Sequence, residues 1–425
     1  MSAIVPSPAT AHYRAAFERL QPALGGSAAR RAAAMERFAE LGFPGARDEA
    51  WKYTSLRRLE SRRFVPAAPT TTSVEVPAAF VAQRLVLVNG SPVGAVPASL
   101  GGFSLGTLKT APEEQLLRSL AGGGTERFAA LNAALTAGPL LLTTAAGQRS
   151  DDVVQLSLVT TGTGPTLASP RIAVRMAPGS RTRLLIDHVD DGTHEHFTNA
   201  VLDIELGAGA HLTLYRLQCQ GERAFHIERI ECRVGENACF VMRDSQLGAS
   251  MARLDTHVSL DGRAAGTEIT GVFLADGSRH LDSHVQVDHR AIETTSLQDY
   301  RGIAANKGRG VFNGKAIVHE GAQKSNARQV NRNLLLTPGA EIDTKPDLEI
   351  YADDVQCSHG TTTGQLDPNA LFYLRSRGLS EPEARSALTR AFAGAVMARV
   401  DEPALASHVH DELDRRLVRL LEGSA

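Results

Sequence analysis

Between about Asp151 and Gly364 the chain alternates. Ile172, Val174 and Met176 are separated by polar or small residues, as are Leu202, Ile204 and Leu206, then Ile230, Cys232 and Val234, then Val285 and Val287, then Leu348 and Ile350. Successive side chains of a strand point to opposite faces, so a period of two predicts many strands with one buried face each. A turn signature returns within the tract at Pro178-Gly179-Ser180, Gly207-Ala208-Gly209-Ala210, Val234-Gly235-Glu236-Asn237 and Asp261-Gly262-Arg263-Ala264, and later at Pro338-Gly339-Ala340-Glu341. The first four recur about every 26 to 30 residues, a period that implies stacked units. With no helical period inside them, the units predict a β-helix; a β-sandwich with Greek-key connections is the competing arrangement.

Both ends of the chain read differently. Ser27 caps a predicted helix over Ala28–Leu41 that Gly42 and Pro44 end, and Thr125 to Ala137 forms a second helical stretch. Between them, Trp51 reads as a packing anchor for the helical arm, the Pro/Thr/Ala-rich run Val65 to Pro77 as a linker, and Leu85 to Val88 as a short strand. Beyond Gly364, Asp367 ahead of Pro368 starts a helix that stops at Gly378, and Ser380-Glu381-Pro382-Glu383 is a capping box. Leu388, Phe392, Ala395 and Arg399 share one face of the next helix, and Leu405, Val409, Leu413, Leu417 and Leu420 recur at helical spacing after Pro403. The expected organisation is a mixed, helix-rich region over 1–150, a β-helix core over 151–365 and a helical domain over 366–425. The leftover apolar face of those last helices, marked by Leu388, Phe392, Leu405, Val409 and Leu413, either docks a partner or packs on the β body.

Composition narrows the function. Lys and Arg total 45 against 47 Asp and Glu, a net charge of −2, which leaves no electrostatic footprint for nucleic acid or an anionic membrane. The four cysteines, Cys219, Cys232, Cys239 and Cys357, form no CxxC pair and no disulfide framework, which favours a reducing compartment. The first residues lack the continuous apolar core of a signal peptide, and no window approaches the ~18 apolar residues of a membrane span. A cytoplasmic protein is expected.

Candidate chemistry concentrates at Lys345 to Gly364. Cys357 and His359 stand two apart, so on a strand both reach one face and could share a metal ion or cluster. Thiolate with imidazole suits zinc or an iron–sulfur centre. Two ligands are not four, so the rest of such a site must come from elsewhere in the fold or from another chain. The alternative is that Cys357, sharing parity with Val355, faces the core. The groups His194/His196 and His280/His284/His289 with Asp282 and Asp288 match no zinc template and are expected on a polar outer face. Lys307-Gly308-Arg309-Gly310 lacks the frame of a phosphate loop and reads as a turn between coils.

Further strings fix a resemblance. Cys357-Ser358-His359-Gly360-Thr361-Thr362 is followed by Leu371 to Leu379, LFYLRSRGL, and preceded by Arg309 to Lys315, RGVFNGK, by Gln329 to Leu336, QVNRNLLL, and by Lys345 to Ile350, KPDLEI, with Trp51-Lys52-Tyr53-Thr54 near the start. Together they resemble the SufB/SufD family of iron–sulfur cluster assembly proteins. The SufB branch is expected to carry glutamates flanking the histidine; here Ser358 and Gly360 stand there, so the SufD branch fits better. The resemblance implies a mainly β fold, a right-handed parallel β-helix between an N-terminal helical region and a C-terminal helical domain. It implies pairing with SufB through the β-helix, docking of the SufC ATPase on the C-terminal helices, and no catalysis by this chain. Cys357 and His359 match the family's interface cysteine and histidine, so iron or a transient iron–sulfur cluster is the expected cargo at a shared site. A homodimer of the isolated chain, a homodimeric structural protein and a carbohydrate-active β-helix enzyme are the alternatives.

Overall fold

In the computed structural model, residues 7–45, 47–67, 79–120 and 122–422 are described, with side chains as far as Val418. Most of the expected linker Val65 to Pro77 lies outside them, as does the side chain of Leu420. Val65 and Pro66 form a short strand on Thr166 and Leu167.

One corner of the coil explains the recurring turns. Gly147, Gly179, Gly209, Asn237, Ala264, Glu293 and Lys324 all have positive φ, from 53° to 69°. Each donates its backbone N–H to the turn of the next coil, Gly179 to the Ala208 carbonyl at 2.8 Å, Asn237 to Arg263 at 2.9 Å and Glu293 to Gln323 at 2.9 Å. The left-handed conformation is easy for glycine and costs other residues roughly 1–2 kcal/mol, so the glycines of the early corners are the sequence's own mark of the repeat.

From these corners the strands run in parallel register. Met251 pairs with His280, and His280 with Arg309; on the other side Gly266 pairs with Thr295, and Thr295 with Asn326. Successive strands alternate between two sheets, one of 12 strands and one of 10, which makes a parallel β-solenoid of about 8 turns. The first sheet ends in Arg309–Val318 and Glu341–Ile350, the second in Asn326–Leu335 and Gln356–Gly364. The two sheets enclose a ladder of Leu, Ile, Val and Phe from Leu85 to Phe312 that includes Cys232, buried as its alternation predicts. The strands Gln83–Val88 and Leu140–Thr143 join the second and first sheets respectively, so the solenoid begins before its regular repeat does.

Helices cover the outer faces. Tyr13, Met35, Phe38, Trp51, Phe64 and Phe128 pack with Phe197, Phe225 and Met251 of the first sheet. Trp51 anchors this arm as expected: its Nε1 donates to the Gly124 carbonyl at 2.9 Å and the Arg253 guanidinium lies 3.9 Å from the ring centroid. On the second sheet, Ala393, Met397, Leu405, Val409 and Leu413 of the helices Glu381–Met397 and Pro403–Glu422 pack with Val153, Leu185, Tyr215, Leu217, Val272, Leu274 and Ile303. The capping box at Ser380 and Glu383 forms as its sequence predicts. Arg183 donates to the Tyr215 hydroxyl at 2.6 Å, Tyr215 donates to Asp401, and Arg243 donates to the Arg399 carbonyl at 3.0 Å, a polar seam along the same contact.

Several histidines expected outside are inside. His196 and His289 are fully buried, and both nitrogens of His289 sit at 2.8 Å from hydroxyls, of Thr294 and Ser296. Burial pushes both imidazoles down to about 4. His257 takes the opposite course. Burial alone would lower it, but contacts with Asp288 at 3.3 Å and Glu231 at 2.8 Å outweigh that and push it up to about 9, so it clamps three neighbouring strands.

The signs of these shifts define two predictions. The His257 clamp contributes fully below its ordinary value of 6.5 and is lost as pH rises through about 9. The neutral interior histidines oppose protonation, so their stability is present above 6.5 and lost as pH falls toward about 4. Denaturant midpoints measured against pH should fall on both sides, with His257→Gln flattening only the alkaline limb and His289→Asn, less stable at neutral pH, making the acid limb shallower. Unaltered limbs in both variants would refute the assignment. A second measurement concerns the C-terminal helices: Leu413→Ala should cost about 2–5 kcal/mol and speed amide exchange across Pro403–Glu422, as expected for a buried leucine. Exchange unchanged from the parent would show that this helix is not held by the sheet.

Candidate functional site

The last coil brings the two sequence-marked ligands onto one edge strand. Gln356–Gly364 pairs on one side only, with Asn326–Leu335, placing Cys357 opposite Ala327 and His359 opposite Gln329. Its residues are mostly exposed, because no further strand stacks on it among the described residues.

The two side chains have different surroundings. Cys357 is half-buried in a small apolar cluster with Val318, Ala322, Ala352 and Val355, while His359 is exposed. Burial pushes the Cys357 thiol up, and a hydrogen bond from the Ala327 backbone only partly offsets that. The cysteine thus leans on the core with Val355, as one reading of its sequence expects, while part of its surface stays open. As a donor set the pair fits an iron or cluster site incompletely. A thiol held protonated binds when a metal displaces its proton, and two donors leave half of a four-coordinate shell unfilled. On the last strands of the first sheet, Lys315 reaches Glu349 at 2.5 Å and Arg309 reaches Asp343 at 2.6 Å, an ion-paired outer face.

The helical residues marked by their apolar spacing lie elsewhere. Leu405, Val409 and Leu413 are at most 3% exposed, their face occupied by the chain's own second sheet. Phe392 is half-buried in that contact with the Arg301 guanidinium 5.2 Å from its ring centroid, and Leu388 is half-buried. The exposed apolar side chains of these helices are instead Phe372 and Tyr373, 75% and 57% exposed on Pro368–Ser376, and Val418. Helical periodicity identifies a face that is buried without saying by what.

One group was not singled out in the sequence. Inside the solenoid, His188, His226 and Glu228 are buried with one donor atom each within 4.8 Å of the others. Arg216 donates to Glu228 at 2.6 Å and to Asp244 at 2.7 Å, and the Tyr300 hydroxyl reaches Asp244 at 3.4 Å. Burial pushes His226 down to about 3; burial would raise Glu228, but the Arg216 charge outweighs it and holds the carboxylate well below its usual range. The signal was present as parity. His226 and Glu228 continue the inward alternation of Ile230, Cys232 and Val234, as His188 continues that of Leu184 and Ile186.

A serine frame has no catalytic geometry. Gly102-Phe103-Ser104-Leu105-Gly106 matches GxSxG, but Ser104 is exposed within the antiparallel strand Phe103–Gly106, opposite Thr143, and not on a strand-to-helix turn. No helix is long and apolar enough to cross a membrane among the described residues.

Comparison with known proteins supplies the family. Residues 158–392 match the family model described as the SUF system FeS cluster assembly SufBD core domain. A SufBD family iron–sulfur cluster assembly protein of Synechocystis is 30% identical, with 87% of each chain covered. The iron–sulfur cluster assembly protein SufD of Escherichia coli is 29% identical over 90% of this chain and 91% of its own. A SufBD family protein of Mycobacterium tuberculosis is 28% identical over 88% and 89%. With the matched core spanning the regular coils and the edge strand that carries Cys357 and His359, the chain belongs to the SufBD family of iron–sulfur cluster assembly proteins.

Proposed function

We propose that this chain is a SufD-type, non-catalytic scaffold subunit of a cytoplasmic SufBCD complex, pairing through its last coil with SufB and docking the SufC ATPase through its C-terminal helices. The observation that carries the reading is the open last coil with Cys357 and His359 on its edge strand. An unpaired strand edge is a template for another strand, and proteins ordinarily cover or charge it. Left open here and lined with two soft-to-borderline donors, it suits a partner that supplies the remaining ligands. Iron or a nascent cluster is then cargo held between subunits, with the Cys357 proton released as the thiolate binds.

Burial supports a different docking surface for SufC from the one marked by helical spacing. Because Leu405, Val409 and Leu413 already pack on the second sheet, the contact is assigned to the exposed Phe372 and Tyr373, with Leu388 and Phe392 supporting the adjoining helix from a half-buried position. Aromatic side chains standing clear of a helix are the usual anchors of such contacts.

Co-expression with SufB and SufC tests both parts. Cys357→Ser should leave the three chains co-purifying while cluster formation, followed by visible absorption, falls several-fold; undiminished cluster formation would remove Cys357 from the site. Phe372→Ala should weaken SufC capture about tenfold, as truncation of one aromatic anchor does, and leave SufB binding unchanged. Equal capture would move the docking surface elsewhere. Sizing of the chain alone, then with SufB, shows whether the same edge also pairs two copies.

A further inference from the structure

We propose that the N-terminal helical arm binds an amphipathic anion, an alkyl chain carrying one carboxylate, in a groove separate from the edge that carries Cys357. The groove encloses about 640 Å³ between Ala28–Leu41, Glu126–Leu135 and residues 114–120. That volume lies within the range of small-molecule pockets. Arg30, Ala33, Ala34 and Arg37 fall three or four apart on the first helix, as do Glu126, Ala129, Ala130 and Ala133 on the second, so each helix lines the groove with one alanine-floored face. Leu117 and Leu120 close the third side.

Alanines alone would accept any apolar group, and the charges around them narrow the choice. Four arginines and two glutamates line the groove. Arg37 and Glu126 pair at 2.7 Å, and the other oxygen of Glu126 accepts from the Gly122 N–H at 2.6 Å. Among the described residues, the Arg30 side chain makes no hydrogen bond or ion pair. Arg118 donates from Nε and Nη2 to Asp203, and its Nη1 has no partner among them. Exposed Glu114 is the one carboxylate of the lining without an ion pair there.

The wall behind is positive as well. Arg31 is 1% exposed; its Nη1 donates to the Ala134 and Thr136 carbonyls at 3.1 and 2.9 Å, at the end of Glu126–Leu135, while Nη2 has no partner. Arg171, equally buried, donates to the Leu116 carbonyl at 2.8 Å, to Asn132 at 3.3 Å and to the Arg118 carbonyl. Neither forms an ion pair among the described residues: Asp203 serves Arg118 and Arg175 together, and Glu113 acts on Arg31 only through space. Burial, with Arg118, Arg175 and Arg31 nearby, pushes Arg171 down to about 10 in spite of Asp203. A buried cation without a counter-charge is costly, and an anion seated in the groove supplies one. Guanidinium groups match the two oxygens of a carboxylate, and the alanine and leucine floor takes the chain out of water.

Calorimetric titration of the full chain with decanoate tests this. Binding should saturate at one decanoate per chain and weaken as salt is added. Acetate, the head alone, and decanol, the tail alone, should each bind at least about tenfold more weakly. Arg30→Glu and Ala33→Trp, both at exposed positions, should keep the circular dichroism of the parent and lose about tenfold in affinity. Decanoate should raise the melting temperature of the parent and leave that of Ala33→Trp where it was. No saturable binding by the parent, decanol binding as tightly as decanoate, or both variants binding as the parent does would overturn the proposal. So would tighter capture of decyl phosphate, which assigns the head to phosphate, or a dimer that Ala33→Trp dissociates, which assigns the groove to a second copy of the chain. None of these outcomes bears on the cluster role of the edge.

Discussion

The coil corner is the constraint on which the rest of the molecule depends. A residue in the left-handed region turns the chain and aims its N–H at the turn of the next coil, from Gly147 to Lys324. Each such bond contributes about 0.5–1.5 kcal/mol net, and at Asn237, Ala264, Glu293 and Lys324 that gain works against a conformational cost of similar size. The corner therefore adds little stability on balance. What it does is fix register. Because parallel strands cannot slip by one residue without turning every side chain to the other face, a fixed corner makes equivalent positions of successive coils stack.

Stacking turns local parity into an interior. Inward positions near one end of the strands are Leu, Ile, Val and Phe in coil after coil, and toward the other end they become His188, Arg216, Gln218, Asp244 and Gln246. The same alternation thus builds an oily half and a polar half inside one tube. Buried charges survive there only when paired, and Arg216 between Glu228 and Asp244 is such an arrangement. Tyr300 shows how closely these layers fit: it lies against Gly271, where a Cβ would come within 2.3 Å of its ring. A side chain at 271 would push the tyrosine away from Asp244.

This division explains which features were legible in the sequence. The solenoid was readable because its two signals, a period of two and a recurring turn, are local and independent. The helix start at Ser380 was readable because a capping box is complete within four residues. Cys357 was ambiguous for a physical reason, since an edge strand of the last coil is half covered and a residue there both leans on the core and remains open. His196 and His289 are inside because parity along a strand, and not polarity, decides which way a side chain points, and a polar residue on the inward parity carries no mark of burial in its composition. Leu405, Val409 and Leu413 show the complementary difficulty, since a helical stripe specifies a buried face while tertiary packing alone selects the surface that buries it.

Covering explains why the two ends of the solenoid differ. The early coils are enclosed by the aromatic cluster around Trp51 and Phe128, and the C-terminal helices turn back along the second sheet, where Arg385 donates to the Leu336 carbonyl at 2.9 Å. That return path spends the apolar surface of Glu381–Met397 and Pro403–Glu422 on the flank of the solenoid. It leaves Gln356–Gly364 with no further strand stacked on it among the described residues. The exposed strand Gln356–Gly364 is then protected by its composition, with Ser358, His359, Thr361, Thr362 and Thr363 in place of a continuous apolar run, and Glu341–Ile350 by its charges. An edge that is polar yet long and regular resists indiscriminate aggregation while keeping its backbone groups available to a strand of matching register. Specificity at such an edge must come from side chains, and Cys357 and His359, one half-buried and one exposed, are the two on that strand able to hold a metal.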